Sequence, residues 1–334
     1  MSAIDALRPL GRTSLRVSSV GLGLAALGRP GYINVGHGED LGANRSRDAM
    51  ERRAHEVLDA AYAAGIRYFD AARSYGLAEA FLSSWLGARG ISPDAVVVGS
   101  KWGYTYTANW QVDAPAHEIK EHSLGMFTRQ LAESRAILGS YLRVYQIHSA
   151  TLDSGALTDT SIIDALARER SRGLTIGLSV SGERQAEAIW SALEIVRDGQ
   201  PVFDTVQATW NLLERGAEQA LVAATDAARG VIVKEALANG RLTNRASRDR
   251  PSQVTILARE AERLGASMDA IAIASALAQP WATVVLSGAT TVAQLESNIR
   301  ACAVDLTLDS LDRLSAMAMK SSEYWRERSA LPWN

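Results

Sequence analysis

The chain has 334 residues, of which 47% are hydrophobic and 22% charged, a balance typical of a globular protein with a sizeable core. Thirty-five Lys and Arg against 37 Asp and Glu leave a formal net charge of −2, so bulk electrostatics favour neither nucleic acid nor an anionic membrane. The one cysteine, Cys302, excludes an internal disulfide framework and a multi-cysteine metal site. With no apolar signal-peptide core and no stretch of transmembrane length, the sequence predicts a soluble cytoplasmic protein.

Short, mostly apolar runs alternate with long Ala-, Leu- and Arg-rich segments along the chain. Such runs predict parallel strands buried on both faces, here at residues 19–24, 67–72, 96–102, 144–148, 175–180, 205–211, 231–236 and 283–289. Helical periodicity is clear at residues 48–64, 185–196 and 254–265. Asp48 and Glu51 predict a capping pair for the first of these helices, and Gly65 its C′ residue.

Strands that alternate with helices in this way close most economically into a (β/α)8 TIM barrel, here one domain over residues 1–334. An open doubly wound sheet is the alternative, but glycines 21, 23 and 28 lack the spacing of a dinucleotide-binding loop. Residues 9–18 predict a short N-terminal hairpin under the barrel. Residues 25–45 and 103–122 predict long loops at the C-terminal face, where barrel active sites are built.

Four side chains able to move or hold protons follow three consecutive predicted strands. Asp70 and Tyr75 follow the second, Lys101 ends the third and His148 ends the fourth. Each alone is more often structural, but together they predict one site at the barrel mouth. The Lys101 ammonium, held by the carboxylate, is expected to lower the pKa of Tyr75 from about 10, while the histidine orients a carbonyl oxygen.

This set contains neither an activated nucleophile nor a two-histidine metal spacing, so we predict no metal. What remains for a tyrosine acid is to protonate a carbonyl oxygen while a cofactor supplies hydride.

The sequence resembles the aldo-keto reductases over nearly its full length. The order and spacing of that family's strings hold in GRTSLRVSSVGLGLAALG (11–28), FDAARSYGLAEAFLSSWL (69–86), GSKWG (99–103), YQIH (145–148), GLSVSG (177–182), VQATWNLLER (206–215) and SGATTVAQLESN (287–298). The resemblance implies a catalytic tetrad of Asp70, Tyr75, Lys101 and His148, with Tyr75 as general acid. It also implies an NAD(P)(H) cofactor across the barrel mouth and reversible reduction of an aldehyde or ketone, often on a sugar or related polyol.

The same resemblance assigns the nicotinamide contacts. Gln207 is implied to bond the carboxamide and Trp210 to stack on the ring, with core packing as the alternative for Trp210. Ser179 matches a family serine, but Val180 stands where the family has Asn, which puts one carboxamide contact in doubt. After strand seven KEALANGRL replaces the usual Ser-Pro-Leu, and a pyrophosphate wrap is expected from Lys234, Leu237, Gly240 and Arg241.

The segment after strand eight is implied to hold the adenosine part at a helix N-terminus. The implied contacts are Gly288, Thr290, Thr291, Gln294 and Asn298. Residues 288–298 contain no Lys or Arg, and Ser297 replaces the usual Glu. Because the pattern is similar to the potassium-channel β subunits of this superfamily, which bind NADPH, NADP(H) is favoured and NAD(H) remains possible.

Substrate contacts are implied at the loops and the C-terminal tail, namely Tyr32, Trp102, Tyr104, Trp110 and Trp325, with Trp333 beside them. The alternative for residues 321–334 is a tail whose aromatic side chains pack on the outside of the barrel. The leading hypothesis is an NADP(H)-dependent reductase of a small carbonyl substrate. Its rivals are an NAD-dependent aldose or alcohol dehydrogenase of the same fold and a cofactor-binding regulatory subunit.

Overall fold

Eight parallel strands close into a barrel in this computed structural model. The structure describes residue 4, residues 6–245 and residues 251–334, and for residues 251–253 it describes the backbone alone. In chain order the barrel strands are β1 (Val20–Gly23), β2 (Tyr68–Asp70), β3 (Val97–Trp102), β4 (Leu142–Ala150), β5 (Thr175–Val180), β6 (Thr205–Thr209), β7 (Gly230–Lys234) and β8 (Val284–Ser287). Each strand pairs with the next, and β8 pairs with β1 to close the ring. The predicted (β/α)8 TIM barrel is confirmed.

Helices surround the barrel and follow its strands. Within the described ranges they are α1 (His37–Leu41), α2 (Arg47–Ala63), α3 (Ala78–Ala88), α4 (Leu124–Leu138), α5 (Thr160–Ser171), α6 (Gln185–Leu193), α7 (Glu218–Asp226), α8 (Pro251–Leu264), α9 (Met268–Leu277), α10 (Val292–Ile299), α11 (Leu308–Ser315) and α12 (Ser321–Ser329). None of these helices combines the length and apolar character that a membrane span requires.

The start of α2 differs from the prediction. Ser46 is the N-cap, and its side chain accepts a hydrogen bond from the Ala49 N–H, so the predicted Asp48–Glu51 cap is wrong. Asp48 lies instead in the first turn, where its charge complements the helix dipole. At the other end Gly65 has φ of 100° and follows the C-cap, as predicted for a C′ glycine.

A hairpin closes the N-terminal end of the barrel, as the sequence predicted. Its strands, Arg8–Pro9 and Arg16–Val17, pair antiparallel. Its apolar side chains join the first inward-facing residues of the barrel strands in one buried cluster of Leu10, Leu15, Val17, Tyr68, Val97, Val144, Ile232, Val284 and Leu286. This cluster is the apolar floor beneath the site.

The inward-facing side chains change from apolar to polar along the strands. On β2 the inward positions are Tyr68 and then Asp70, and on β3 they are Val97 and then Lys101, because alternate residues face the same side. The barrel therefore has an apolar floor and a polar mouth.

Two long loops and the C-terminal tail cover this mouth. The loop after β1 contains α1, and the loop after β3 contains an antiparallel pair, Tyr104–Tyr106 with Glu118–Lys120. The tail joins both loops: Asn334 Nδ2 donates to the Asn34 carbonyl at 2.9 Å, and the Trp333 ring stacks on His117 with centroids 3.8 Å apart. A further antiparallel pair, Val196–Arg197 with Gln200–Pro201, lies between α6 and β6.

Candidate active site

The four residues predicted from the strand ends meet at the barrel mouth. Lys101 forms a fully buried ion pair with Asp70, and its Nζ also donates to the Ala71 carbonyl at 3.0 Å. The Tyr75 hydroxyl lies 3.4 Å from Lys101 Nζ and 3.4 Å from His148 Nε2. The phenol therefore contacts an ammonium and an imidazole at the same oxygen, while the carboxylate holds the ammonium from behind.

Local hydrogen bonds aim the Tyr75 side chain at this point. The loop after β2 is tied to β3 by the Ala71 N–H on Gly99 O and the Arg73 N–H on Lys101 O. Gly76 follows with φ of 60°, and a side chain there would lie 2.4 Å from the Gly28 carbonyl oxygen. A glycine is thus required for the chain to turn under the β1 loop and begin α3.

Burial controls the protonation of Tyr75. It raises the pKa of the phenol well above 10, and the Asp70 carboxylate raises it further. The sequence predicted a lowered pKa; that prediction is wrong because desolvation penalises the phenolate and the carboxylates of Asp70, Glu118 and Glu235 outweigh the opposing charge of Arg29. The phenol keeps its proton at neutral pH, which suits a proton donor.

His148 is neutral for a related reason. Burial lowers its pKa well below 6.5, and the positive charges of Lys101, Lys234 and Arg29 lower it further. Its Nδ1 lies 3.3 Å from Ser74 Oγ, so both ring nitrogens have a hydroxyl partner. A neutral imidazole beside the phenol can hydrogen-bond a carbonyl oxygen without carrying charge into the site.

Arg29, which sequence reasoning missed, braces the tetrad from the β1 loop. Its guanidinium is buried, lies 5.2 Å from the centre of the Tyr75 ring, and donates to Ser74 O at 3.1 Å and Glu118 at 2.5 Å. Glu118 belongs to the strand pair after β3, so one side chain joins three loops. No motif singles out Arg29, because its partner is 89 residues away.

A cavity of about 670 Å³ opens above the tetrad and extends to α10. The predicted site residues that line it are Tyr32, Asp70, Tyr75, Tyr104, His148, Ser179, Gln207, Lys234, Leu237, Gly240, Gly288, Thr290, Thr291, Gln294 and Asn298. Trp333 lines it as well.

The polar groups of this cavity fit a nicotinamide nucleotide. Gln207 donates from Nε2 to Asp70 at 2.9 Å, whereas its Oε1 is buried without a hydrogen-bond partner among the described residues. A carboxamide NH₂ is a donor that would satisfy this oxygen. Asn239 Oδ1, which also lines the cavity, is a second buried acceptor without a partner in the described chain. Val180 does not line the cavity, but Ser181 does and supplies a hydroxyl there.

Two predicted aromatic contacts face the wrong side of their strands. Trp102 is fully buried against Phe127 of α4, with ring centroids 5.1 Å apart, because Lys101 beside it points into the barrel. Trp210 is buried against Trp281 and donates to Glu218 of α7 at 3.2 Å. Neither ring lines the cavity, which corrects the substrate role of Trp102 and the nicotinamide-stacking role of Trp210.

Three other predicted contacts also lie outside the cavity. Trp110 donates to the Arg45 carbonyl at 2.8 Å and fastens the β3 loop to the β1 loop. Trp325 packs edge-on against Tyr324, so the tail contributes Trp333 to the cavity instead. Arg241 turns toward α12, where it lies 3.4 Å from Glu327 and 4.4 Å from the Tyr324 ring centre. These placements correct the substrate roles of Trp110 and Trp325 and the phosphate role of Arg241.

Lys234 lies at the tetrad end of the cavity. Its Nζ donates to Thr209 Oγ1 at 2.8 Å and is 4.0 Å from Glu235, which Arg328 of α12 already binds through two nitrogens. Burial, with the charges of Arg328 and Lys101, lowers the pKa of Lys234 to about 8, although Glu235 opposes this shift. Lys234 therefore shares its carboxylate neighbour Glu235 with Arg328.

The described residues contain no group of three His, Cys, Asp or Glu side chains arranged to hold a metal ion.

Comparisons with known proteins agree with this arrangement. The model of the Aldo/keto reductase family matches residues 21–318. The uncharacterized oxidoreductase YrpG of Bacillus subtilis is 26% identical, with 92% of this chain and 94% of that protein covered. Protein tas of Escherichia coli is 25% identical, with 91% and 95% covered. The solved holo form of an aldo-keto reductase from Bacillus halodurans superposes with a TM-score of 0.72 at 21% identity, covering 94% and 96%, which supports the fold.

The family model spans most of the chain, and its barrel carries the tetrad geometry and a cavity suited to a nicotinamide nucleotide. The chain therefore belongs to the aldo/keto reductase family and is an NAD(P)H-dependent oxidoreductase.

Proposed function

We propose that the protein reduces an aldehyde or ketone to an alcohol, with Tyr75 as the general acid. The observation that carries this proposal is the contact of one buried, protonated phenol with both Lys101 and His148 at the floor of the cavity. A nicotinamide cofactor held along the cavity would supply the hydride for the carbonyl carbon. The Tyr75 hydroxyl donates its proton to the carbonyl oxygen, and the resulting phenolate takes a proton back from solvent.

The other tetrad members support this proton transfer. Lys101 stabilises the phenolate as it forms, since its ammonium contacts the phenol oxygen directly. Asp70 keeps that ammonium in place through the buried ion pair. Neutral His148 holds the carbonyl oxygen by a hydrogen bond and so positions it for Tyr75.

The residues proposed to hold the cofactor follow the cavity from β5 to α10. Gln207 and Ser179 are assigned to the carboxamide, with the β7 loop at Leu237 and Gly240 along the pyrophosphate. The adenosine part is assigned to the segment after β8, Gly288, Thr290, Thr291, Gln294 and Asn298. The sequence pattern of that segment favours NADP(H).

The residues on the substrate side of the cavity are suited to binding a polar carbonyl compound. Tyr32, Tyr104 and Trp333 provide aromatic faces there, and Lys234 provides a positive charge. A sugar or a carbonyl compound with an acidic group fits such a lining, because the rings cover the carbon skeleton and the cation binds the polar part.

The raised pKa of Tyr75 keeps the phenol protonated at neutral pH, which is the form that reduction requires. Oxidation by the same site needs a phenolate base, which burial and Asp70 disfavour. An NAD-dependent dehydrogenase of this fold would therefore be most active in alkaline solution.

The test is a panel of sugars, keto acids and simple aldehydes, screened with both reduced cofactors by the loss of nicotinamide absorbance. The Tyr75→Phe variant should lose at least about a hundredfold in turnover on any responsive substrate. Tyr62→Phe is the matched control, since this phenol belongs to α2 and lies outside the cavity, and it should retain turnover. Full activity of Tyr75→Phe would refute the acid assignment.

A further inference from the structure

The adenosine end of the cavity contains a carboxylate that comes from a distant loop. Asp40 of α1, to which the family resemblance assigns no role, lines the cavity next to Thr290, Thr291 and Gln294. Its Oδ2 accepts a hydrogen bond from Gln294 Nε2 at 2.7 Å and one from Thr290 Oγ1 at 3.3 Å. The Asp40 side chain is only 9% exposed, so its position is set by these contacts.

The cation beside this carboxylate is already engaged. Arg245, from the loop after β7, donates to Asp40 Oδ2 at 2.8 Å and to Oδ1 at 2.5 Å. The other basic residues that line the cavity, Arg29, Lys234 and Arg328, belong to the tetrad end. Asp269 adds a second carboxylate to the lining of the adenosine end. Among the described residues, this end therefore presents two carboxylates and one paired guanidinium.

Two amides near the N-terminus of α10 are already engaged by side chains of the protein. The Gln294 N–H donates to Thr291 Oγ1 at 3.2 Å, and the Thr290 N–H donates to Gln294 Oε1 at 2.9 Å. These amides are among those that would bind a phosphate at a helix N-terminus. Here the protein's own side chains accept from them.

The two cofactors differ at one group, the 2′ position of the adenosine ribose. NADP(H) carries a phosphate dianion there, which like charge repels from Asp40 and Asp269. NAD(H) carries a hydroxyl, which is a donor for a carboxylate acceptor. In the dinucleotide-binding loops of other folds, an Asp or Glu side chain likewise accepts a hydrogen bond from the ribose 2′-hydroxyl of NAD.

We propose that Asp40 selects NAD(H) over NADP(H) by accepting a hydrogen bond from the adenosine 2′-hydroxyl and excluding a 2′-phosphate. This assignment rests on the proposed function, because it requires the adenosine part to lie on the segment after β8. The sequence pattern of residues 288–298 favours NADP(H). The proposal gives the opposite preference because Asp40, which lies outside that segment, contacts it in the fold.

The test measures nucleotide binding without a carbonyl substrate, by titrating the full chain with NADH and NADPH and following protein fluorescence and calorimetric heat. The wild type should bind NADH at least about tenfold more tightly than NADPH. Asp40→Asn keeps an acceptor for Gln294 and removes the charge, so NADPH affinity should rise at least about tenfold while NADH affinity falls a few-fold. Asp40→Ser should do the same if the asparagine variant folds poorly.

Glu39→Gln is the matched control, because it removes the same charge one residue away from an exposed side chain outside the cavity. It should leave the NADH-to-NADPH ratio unchanged. Tighter NADPH binding by the wild type, or equal shifts in Asp40→Asn and Glu39→Gln, would overturn the assignment while leaving carbonyl reduction intact. Failure to bind either nucleotide would overturn the proposed function as well.

Discussion

The two ends of the cavity are built from different kinds of structure. At the catalytic end, which contains the proposed tetrad, charged side chains lie in pairs: Lys101 with Asp70, both buried at strand ends, and Glu235 after β7 with the partly exposed Arg328 of α12. At the adenosine end, the polar groups come from loops and from α10, and the cation Arg245 is 41% exposed. Rigid, desolvated charge suits proton transfer, whereas hydroxyl, amide and loop groups suit recognition of a ligand that must enter and leave.

The two ends also differ in the contacts that position their side chains. Barrel register brings Asp70 level with Gly99 and Lys101 level with Gln146, so the catalytic end follows directly from strand pairing. The adenosine end depends on Asp40 meeting Gln294, 254 residues away. Changes at the first end should therefore alter chemistry and stability, and changes at the second should alter ligand affinity.

The largest effect is expected from Lys101→Met. The change leaves the buried Asp70 without its ammonium and the phenol without its contact, so turnover should fall about a thousandfold. The free energy of unfolding should fall by about 3 kcal/mol, since the pair is almost fully buried. Single-turnover kinetics and denaturant unfolding measure the two losses, with the exposed Lys320→Met as control. Normal turnover in Lys101→Met would show that the catalytic end does not depend on buried charge.

A stability loss of about 2 kcal/mol is expected from Glu235→Gln, which frees the partly exposed Arg328 and weakens the hold of α12 on the barrel. Burial alone would raise the pKa of Glu235, but Arg328 and Lys234 outweigh it and lower the pKa to about 2. Because the folded pKa is depressed from 4.5, the stabilisation is present above that pH and lost as the pH falls toward 2. Wild-type and variant unfolding curves should therefore converge in acid; a gap that persists at low pH would exclude this ion pair as its source.

The charge of Lys234 is expected to lower the KM of an acidic carbonyl substrate about tenfold. As the pH rises through about 8 the ammonium loses its proton, so the KM of a keto acid should rise while that of a neutral aldehyde stays constant. Lys234→Met should give the high KM at every pH. Steady-state kinetics across this range measure the change, and identical pH profiles for both substrates would remove Lys234 from substrate binding.

The smallest effect is expected at the adenosine end, from Thr290→Val. The Thr290 hydroxyl donates to Gln294 Oε1 at 3.0 Å and also contacts Asp40. Its loss should weaken binding of the reduced cofactor about threefold and leave the single-turnover rate at saturation unchanged. Thr158→Val, at an exposed position, is the control for titrations by fluorescence. A lowered rate at saturation would mean that the two ends are not separate in function.

The sequence predicts well which side chains meet at the barrel mouth, because its signals there are local. Apolar runs ending in Asp70, Lys101 and His148 place these side chains at one mouth, and β5 was predicted with its observed bounds, 175–180. Trp102 and Trp210 were misplaced because adjacent residues of a strand face opposite sides, and a family string does not show which side the ring takes.

The remaining features could not be predicted from the sequence because they are contacts between distant segments. Arg29 meets Glu118 across 89 residues, and Asp40 meets Thr290 across 250. The sign of the Tyr75 pKa shift was also missed, since it depends on how completely the fold excludes water from the phenol.

The most direct test of the account is the single-turnover rate of hydride transfer at saturating cofactor, measured beside the dissociation constant of that cofactor, in Tyr75→Phe and Asp40→Asn. We predict that Tyr75→Phe loses at least about a hundredfold in rate with an unchanged dissociation constant, and that Asp40→Asn changes the dissociation constants with an unchanged rate. Loss of cofactor binding in Tyr75→Phe, or loss of rate in Asp40→Asn, would contradict it.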